Sequence, residues 1–524
     1  MRRLKFAILI FLVVVFSFNT AIAAVETVCV SVEGGTYTAG NDSDASGANG
    51  NMDDAGLGCT EVYATIEAAW NSLDGDADAD TIILDPTDTF IEEDIALHNN
   101  DGGVKGTGSI TIKSATEDAT YCVLGGATSA NTLIYVNEDN VSYKFKAISF
   151  KDYVLTNGNN QIITADRFSE LEFEDCIFDG LVMDNSTTAG QQAIIDAGDY
   201  CGSGNDVIFD TVTIRNCERI ANGANLTNGL FIRAHNTADL LINDLTFTGN
   251  SGVSTTEHMN NGWFRVDKTV TLSGVNSFSN SSMSSTSGLL SSIFYITSTG
   301  ADAMTVSGQN SFDNIDNTSD SGDINGICLS LFGTGTINAS GENSFVVRNC
   351  DLSTTGNAGQ FVTSTGVNGH LTITGPNFEM YENTATGDSG IIGTSQGGDM
   401  SIRYGKIYSN TVGNAAAVRF GGWTDEDNGD IELYGCLIAN NTSSAAYGGG
   451  VYIMLHSTAV VDSYVDIVNC TIYGNSATTA DYGDGIYIGE GSAANTQYVT
   501  IHNSLIWNQP DDDEIVAAAA GDIT

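Results

Sequence analysis

The sequence predicts an all-β chain wound as a right-handed parallel β-helix, with a short N-terminal capping helix. Three observations carry this. First, "NSFSN" at Asn276 to Asn280 returns as "NSFDN" at Asn310 to Asn314 and within "ENSFVVRN" at Glu342 to Asn349, at steps of 34 and 33 residues. Second, 41% of residues are hydrophobic, and they sit in short blocks rich in Val, Ile, Phe and Tyr bounded by Gly, Asn and Asp, the pattern of many short strands. Third, wide polar bends join these blocks, with few two-residue hairpin turns.

A period of 20–50 residues marks a solenoid, a propeller or an array, in which each unit buries its apolar face on a neighbour. A propeller blade needs four strands joined by hairpins. The units here offer about three strands and open bends, so the parallel β-helix fits better. One half-cycle is a strand, a turn and an apolar-x-x-Asn block, as in "LLINDLTFTGN" (240–250), "SIRYGKIYSN" (401–410) and "IELYGCLIANN" (431–441). The other is a Gly-led strand, as in "GLFIRAH", "GWFRVD" and "GDGIYIG". Counting back to "LEFEDCIF" (171–178) yields about eleven coils, a rod of roughly 50 Å at the interstrand spacing.

Residues 1–23 read as a secretory signal peptide. Arg2, Arg3 and Lys5 precede an apolar run from Phe6 to Phe18, and Ala21-Ile22-Ala23 offers a cleavage site. The apolar run is too short to span a membrane, and no later stretch approaches that length. The expected product is exported and otherwise water-soluble. Residues 24–80 read as the cap region. "YATIEAAWNSL" (63–73) puts Ile66, Ala69, Trp70 and Leu73 on one helical face, with Thr60 as the expected N-cap. This helix would cover the open end of the first coil and shield its strand edges. The β-helix is expected over 81–510. Residues 511–524 end in "AAAAGDIT", whose "GDIT" reads like the start of another strand, so the expectation is either a chain truncated before an anchor or an absent anchor.

The stacked geometry gives the repeated asparagine a role. An Asn turning inward at a coil corner can bond its amide to the Asn one coil up. Asn276, Asn310 and Asn343 are the expected ladder, with Cys436, Cys470 and Asn503 in the same place later. Phe278, Phe312 and Phe345 are expected to stack in the core.

The chain carries 65 Asp+Glu against 18 Lys+Arg, a formal charge of -47, and signal removal takes away only basic residues. Nucleic acid is excluded as a partner, because phosphate binding needs basic stripes. Acidity suits solubility, salty surroundings or calcium binding. "DGDADAD" (74–80) alternates Asp like a calcium loop, but Ala79 stands where that loop needs Gly; "DEDNGD" (425–430) reads similarly. Calcium is the one cofactor these runs leave open. Ten cysteines in an exported chain make disulfides expected, Cys29–Cys59 first, while Cys436 and Cys470 are either bridged or simply stacked. No CxxC occurs and the six histidines are scattered, so no zinc site is expected.

The alternation in "LIANNTSSAAYGGGVYI" (437–453) and "TIYGNSATTADYGDGIYI" (471–488) resembles the polymorphic outer-membrane protein repeat. The wider pattern over 60–510 resembles exported right-handed β-helix proteins of the pectate-lyase-like superfamily. That resemblance implies a bacterial protein that is secreted, extracellular or held at a cell surface in association with an outer membrane. It leaves open a polysaccharide-cleaving enzyme or a non-catalytic adhesin. The polygalacturonase-like blocks Asn-Thr-Asp, Asp-Asp, Gly-His-Gly and Arg-Ile-Lys are absent as an ordered set, with only a partial "NGH" ending at His370.

Aligning coils singles out one patch. "AIIDAG" (193–198), "LFIRAH" (230–235), "GWFRVD" (262–267) and "SIFYIT" (292–297) are equivalent strands. Alternation puts Ile195, Ile232, Phe264 and Phe294 inside. It puts Asp196, Arg233, Arg265 and Tyr295 outside in one column, Phe231 and Trp263 in a second outer column, and His235 and Asp267 in a third. Exposed aromatic rings beside two arginines would stack a sugar and grip a uronate carboxylate. The plainer reading is a cross-strand ladder in which Asp196 and Asp267 neutralise the arginines. The expected role is therefore non-catalytic adhesion or a structural stalk, possible partners being a polysaccharide or a neighbouring or host cell surface. The alternative is a lyase or hydrolase of acidic glycans at this face.

Overall fold

In the computed structural model the chain is a right-handed parallel β-solenoid with one short helix among the described residues. The structure describes residues 27–31, 59, 61–73, 79–85, 89–90, 95–97, 108–119, 122–126, 128–156, 160–185, 193–198, 205–221, 231–235, 238–254, 262–285, 292–300, 302–319, 327–354, 360–365, 369–387, 390–395, 398–420, 430–444, 448–453, 463–478, 483–489, 497–507 and 514–517. The expected signal peptide, the acidic runs apart from Ala79, Asp80 and Asp430, and the last seven residues lie outside these.

Strands pair in parallel into three sheets of 16, 24 and 14 strands among the described residues. We call them A, B and C. From Glu170–Glu174 to Gln497–His502, sheet A contributes eleven strands, matching the coil count expected from the repeat. Sheet B has the largest number because most coils cross it with two strands, such as Ser149–Lys151 and Val154–Leu155, bent apart at Asp152. A typical coil therefore has four strands, one more than expected.

Both corners of sheet B are built on left-handed residues stacked coil upon coil. Between A and B, the column includes Ala147, Asp175, Thr211, Asp244, Gly274 and Gly308, all at positive φ. Within B, the column includes Gly126, Asp152, Gly180, Asn216, Gly249, Asn280 and Asn314. Asn, Asp and Gly recur here because they adopt this conformation with the least strain. At Gly308 (φ 72) a Cβ would meet the Gly274 carbonyl oxygen at 2.1 Å, so the coil above leaves no room for a side chain.

A left-handed corner leaves a backbone carbonyl without its sheet partner, and the next residue repairs it. Asn383, Asn410, Asn441 and Asn475 donate Nδ2 to the carbonyls of Val347, Met380, Ile407 and Ile438 at 2.9–3.0 Å. Each of the first three also donates to the Oδ1 of the Asn one coil on, at 2.9–3.0 Å. Cysteine does the same work with a weaker donor. Cys176, Cys217, Cys350, Cys436 and Cys470 follow left-handed Asp175, Asn216, Asn349, Gly435 and Asn469, and point Sγ at the carbonyls of Phe145, Phe178, Phe312, Ile402 and Leu433. Burial pushes the thiols of Cys176, Cys217 and Cys350 up to about 12. Cys436 and Cys470 are stacked free thiols rather than a bridge.

The expected ladder holds in part. Asn276 donates Nδ2 to Asn310 Oδ1 at 3.0 Å, and both are buried. Asn343 does not continue it. Phe345 stands in register with Asn310, while Asn343 Oδ1 accepts from the Gly308 backbone N–H at 2.9 Å. The cause is the corner at 339–343, which takes five residues where Ser307 and Gly308 turn the coil below. Asn503 is also displaced. It is an exposed left-handed residue above Asn469, and Ser504 takes the place above Cys470, accepting its N–H at 3.1 Å. Phe278 and Phe312 stack at 4.7 Å and 8°, and Phe345 tilts at 41° onto Phe312 from its shifted register.

The cap helix α1 spans Ile66–Ser72 and buries Ile66, Ala69 and Trp70, with Leu73 buried just beyond. Its N-cap is Thr65, whose Oγ1 accepts from Ala68 N–H at 3.1 Å; Thr60 lies outside the described residues. Trp70 stacks on Tyr143 at 5.5 Å, which seats the helix on the core. Cys29 and Cys59 form the expected disulfide.

Candidate functional site

The patch singled out by the coil alignment lies on sheet C. Its strands Ile195–Ala197, Ile232–Ala234, Phe264–Val266 and Phe294–Ile296 are in parallel register. Asp196 pairs with Arg233, Arg233 with Arg265, and Arg265 with Tyr295, so the outer column forms as expected. Ile195, Ile232, Phe264 and Phe294 are buried inside it. His235 and Asp267, one residue past their strands, stack in the next outer column.

Phe231 and Trp263 are not in an outer column. Both are fully buried and belong to the core. Trp263 meets Phe247 edge-on at 5.2 Å, and Phe231 meets Phe178 and Phe247 the same way. Strict alternation fails here because each stands at the bend entering the strand. There two consecutive residues, Phe231-Ile232 and Trp263-Phe264, both turn inward. The patch therefore has no aromatic platform from these two residues.

What remains is a half-buried polar array. His235 Nε2 lies 2.5 Å from Asp196 Oδ1, and Gln161 Nε2 donates to Asp196 Oδ2 at 3.1 Å. Thr164 Oγ1 in turn donates to Gln161 Oε1 at 2.9 Å. Asp267 is the second hub. Arg265 Nε donates to its Oδ1 at 2.9 Å, Thr297 Oγ1 donates to the same oxygen at 2.7 Å, and Arg233 Nη2 stands 3.5 Å from Oδ2. Burial, the largest single influence, pushes the Asp267 carboxyl up. The bonds from Thr297 and Arg265, with the two guanidinium charges, outweigh it and hold the group below its ordinary value. Tyr295 packs edge-on to Phe332 at 5.5 Å, and burial raises its phenol.

Comparison with protein-family profiles, curated proteins and solved structures finds no match to this chain. The site is therefore read from its own geometry. Two in-register arginines share the carboxylate of Asp267, an arrangement able to hold an anionic group by charge-assisted hydrogen bonds. The Asp196–His235 pair orients an imidazole, the usual preparation for moving a proton. Among the described residues no group of three or more His, Cys, Asp or Glu side chains is disposed to hold a metal ion.

Gln161, Thr297 and the bond from Tyr135 Oη to Asp166 Oδ2 at 2.9 Å escaped the sequence reading. Extending the aligned columns one coil back, through "QIITAD" (161–166), would have found Gln161 and Asp166. Burial, then Asp166, pushes the Tyr135 phenol up to about 12.

Elsewhere several basic side chains tie coils together. Arg215 meets Asp179 at 2.8 Å, Arg348 meets Asp313 at 2.8 Å, Arg403 meets Glu432 at 2.8 Å and Lys406 meets Glu379 at 2.7 Å. Each pair spans neighbouring coils, with the partner in the coil above or below.

Proposed function

We propose that this protein is an exported rod with a structural or adhesive role at a cell surface, and that it is not an enzyme. The observation that carries this reading is how the basic groups are used. In an acidic chain Lys144, Arg215, Lys268, Arg348, Arg403 and Lys406 each pair with a carboxylate of a neighbouring coil, where they neutralise the stack. A continuous core and parallel ladder through 16 strands of sheet A make a stiff, extended support. The signal-peptide pattern of residues 1–23 supplies the route out of the cell, and the resemblance to outer-membrane protein repeats supports the surface setting.

A second reading is favoured by the polar array on sheet C. There Arg233 and Arg265 would grip the carboxylate of an acidic glycan, and the Asp196–His235 pair would take part in its cleavage. Incubating the protein with a panel of acidic polysaccharides, with and without calcium, separates the two. The rod reading expects no product under either condition. Release of oligosaccharides that disappears with Arg265→Ala would overturn it in favour of the enzyme.

A further inference from the structure

At the corner between sheets A and B, two cysteines stand one above the other in successive coils. Tyr434 pairs in register with Val468 and Leu437 with Thr471, and two residues turn each corner between them. Gly435 and Asn469 are the left-handed members, so Cys436 and Cys470 occupy the same place. Thr471 N–H donates to the Cys436 carbonyl at 2.8 Å. In-register parallel strands lie about 4.8 Å apart. That falls within the Cα separation of about 4.4–6.8 Å that a disulfide spans. The sulfurs converge as well. Cys470 Sγ reaches down to the Leu433 carbonyl at 3.4 Å, and Cys436 Sγ lies 3.6 Å from the carbonyl of Tyr434, the next residue. The contact between the thiols holds Cys470 below its ordinary value and, with burial, pushes Cys436 above it. Among the described residues no other cysteine has a thiol in register on the coil above. Val212, Asn250 and Asn383 stand there over Cys176, Cys217 and Cys350.

We propose that Cys436 and Cys470 are an oxidisable pair, which thiol–disulfide exchange closes into a covalent staple between two coils. The oxidant is a disulfide, either a small molecule or another protein. Cys470, as the thiolate, attacks one sulfur of that disulfide and forms a mixed disulfide, and the other sulfur leaves as a thiolate. Cys436 then gives up its proton and attacks Cys470 Sγ, which expels the second thiolate. Two cysteine thiols are oxidised, one disulfide is reduced to two thiols, and the two protons end on the leaving sulfurs. Both cysteines are buried, so exchange proceeds while the coils fold or when they open locally. The staple gives up two weak S–H donors, to the carbonyls of Ile402 and Leu433. In return it closes a loop with a sequence separation of 34, which restricts the unfolded chain. The chain already carries one bridge, Cys29–Cys59. An oxidising setting outside the cell rests on the export reading, but the chemistry of the pair does not.

The test is peptide mapping of the whole purified chain after equilibration with mixtures of reduced and oxidised glutathione, with free thiols alkylated in denaturant. The peptides carrying Cys436 and Cys470 are expected joined to each other, and Cys176, Cys217 and Cys350 alkylated. Oxidation should also raise the melting temperature of the parent by several degrees more than that of Cys436→Ser. That variant keeps a hydroxyl donor for the Ile402 carbonyl and keeps the Cys29–Cys59 bridge, so the difference reports the staple alone. Recovery of Cys436 and Cys470 as alkylated thiols from the most oxidising mixture overturns the proposal. Pairing of either one with a different cysteine, or an equal rise in parent and variant, overturns it too. Mapping the parent decides the matter even where Cys436→Ser does not fold. Glutathione supplies the oxidant in the tube, so failure here leaves the export reading untouched. A chain found to stay inside the cell would leave the bridge result standing while the export reading fails.

Discussion

Asn410 Nδ2 donates to Asn441 Oδ1 at 2.9 Å, and Asn441 Nδ2 donates to Asn475 Oδ1 at 2.9 Å, so three coils are joined by one buried line of amides. Every amide in this line also satisfies a carbonyl freed by a left-handed corner. A buried carbonyl left unsatisfied is destabilising by about 1–3 kcal/mol. Asn441→Ala exposes the Ile407 carbonyl and breaks the line, so a loss of about 3 kcal/mol is expected in urea unfolding. Asn441→Cys should lose less, because Cys350 fills the equivalent place three coils earlier with its own S–H donor.

The buried placement of Trp263 separates packing from binding. Trp263→Ala should destabilise the fold by about 3–5 kcal/mol, the range for truncating a large aromatic in a core. Arg265→Ala, half-buried and outward, should lower the melting temperature far less. Collisional quenching offers an independent check. Trp70 and Trp263 should be shielded from iodide, and Trp507, 58% exposed, should be quenched.

Carboxylates stacked on carboxylates make stability depend on pH in a stated direction. Glu170 pairs in register with Asp206 and Asp206 with Asp239. Burial first, then the neighbouring charges, raises the carboxyls of Glu170 and Asp206 above their ordinary values. A raised carboxyl stabilises the fold when protonated, and that contribution is lost as pH rises through its folded-state value. Asp206→Asn should therefore melt higher than the parent at pH 7, with the gap closing in acid. Asp267 has the opposite sign. Its depressed carboxyl stabilises above the unfolded value, and that stability is lost as pH falls through the folded one. Asp267→Asn should melt lower at pH 7 and converge with the parent in strong acid.

The Cys29–Cys59 bridge closes a loop with a sequence separation of 30 next to the cap helix. On chain-entropy grounds it contributes about 3–4 kcal/mol. Reduction should raise hydrogen exchange in Thr27–Val30 and α1 first, and leave the coils beyond Glu170 protected.

Much of the fold was legible before any coordinates. The apolar face of α1, the eleven coils from residue 170 onward and the inward set Ile195, Ile232, Phe264 and Phe294 follow from periodicity alone, because local backbone geometry decides them. The outer column Asp196–Arg233–Arg265–Tyr295 was legible for the same reason. Phe231 and Trp263 were misplaced because alternation was carried through a bend, where the pleat that causes alternation is interrupted. The Asn383–Asn475 line was visible as a repeat phase but was not read as the ladder. Telling it from the neighbouring left-handed column, as at Asn280 and Asn314, needs a one-residue distinction that composition does not make.

By itself, then, the sequence determined that the chain coils, how often, and which side chains its straight segments turn inward. Only the tertiary structure decided which residues are neighbours along the stack. Register depends on how many residues each corner consumes, and a corner is settled by packing against the coils above and below rather than by its own propensity. Five residues at 339–343 moved Asn343 out of the ladder. The same dependence set Ser504 rather than Asn503 above Cys470, and set Ala439 in register between Tyr408 and Tyr473.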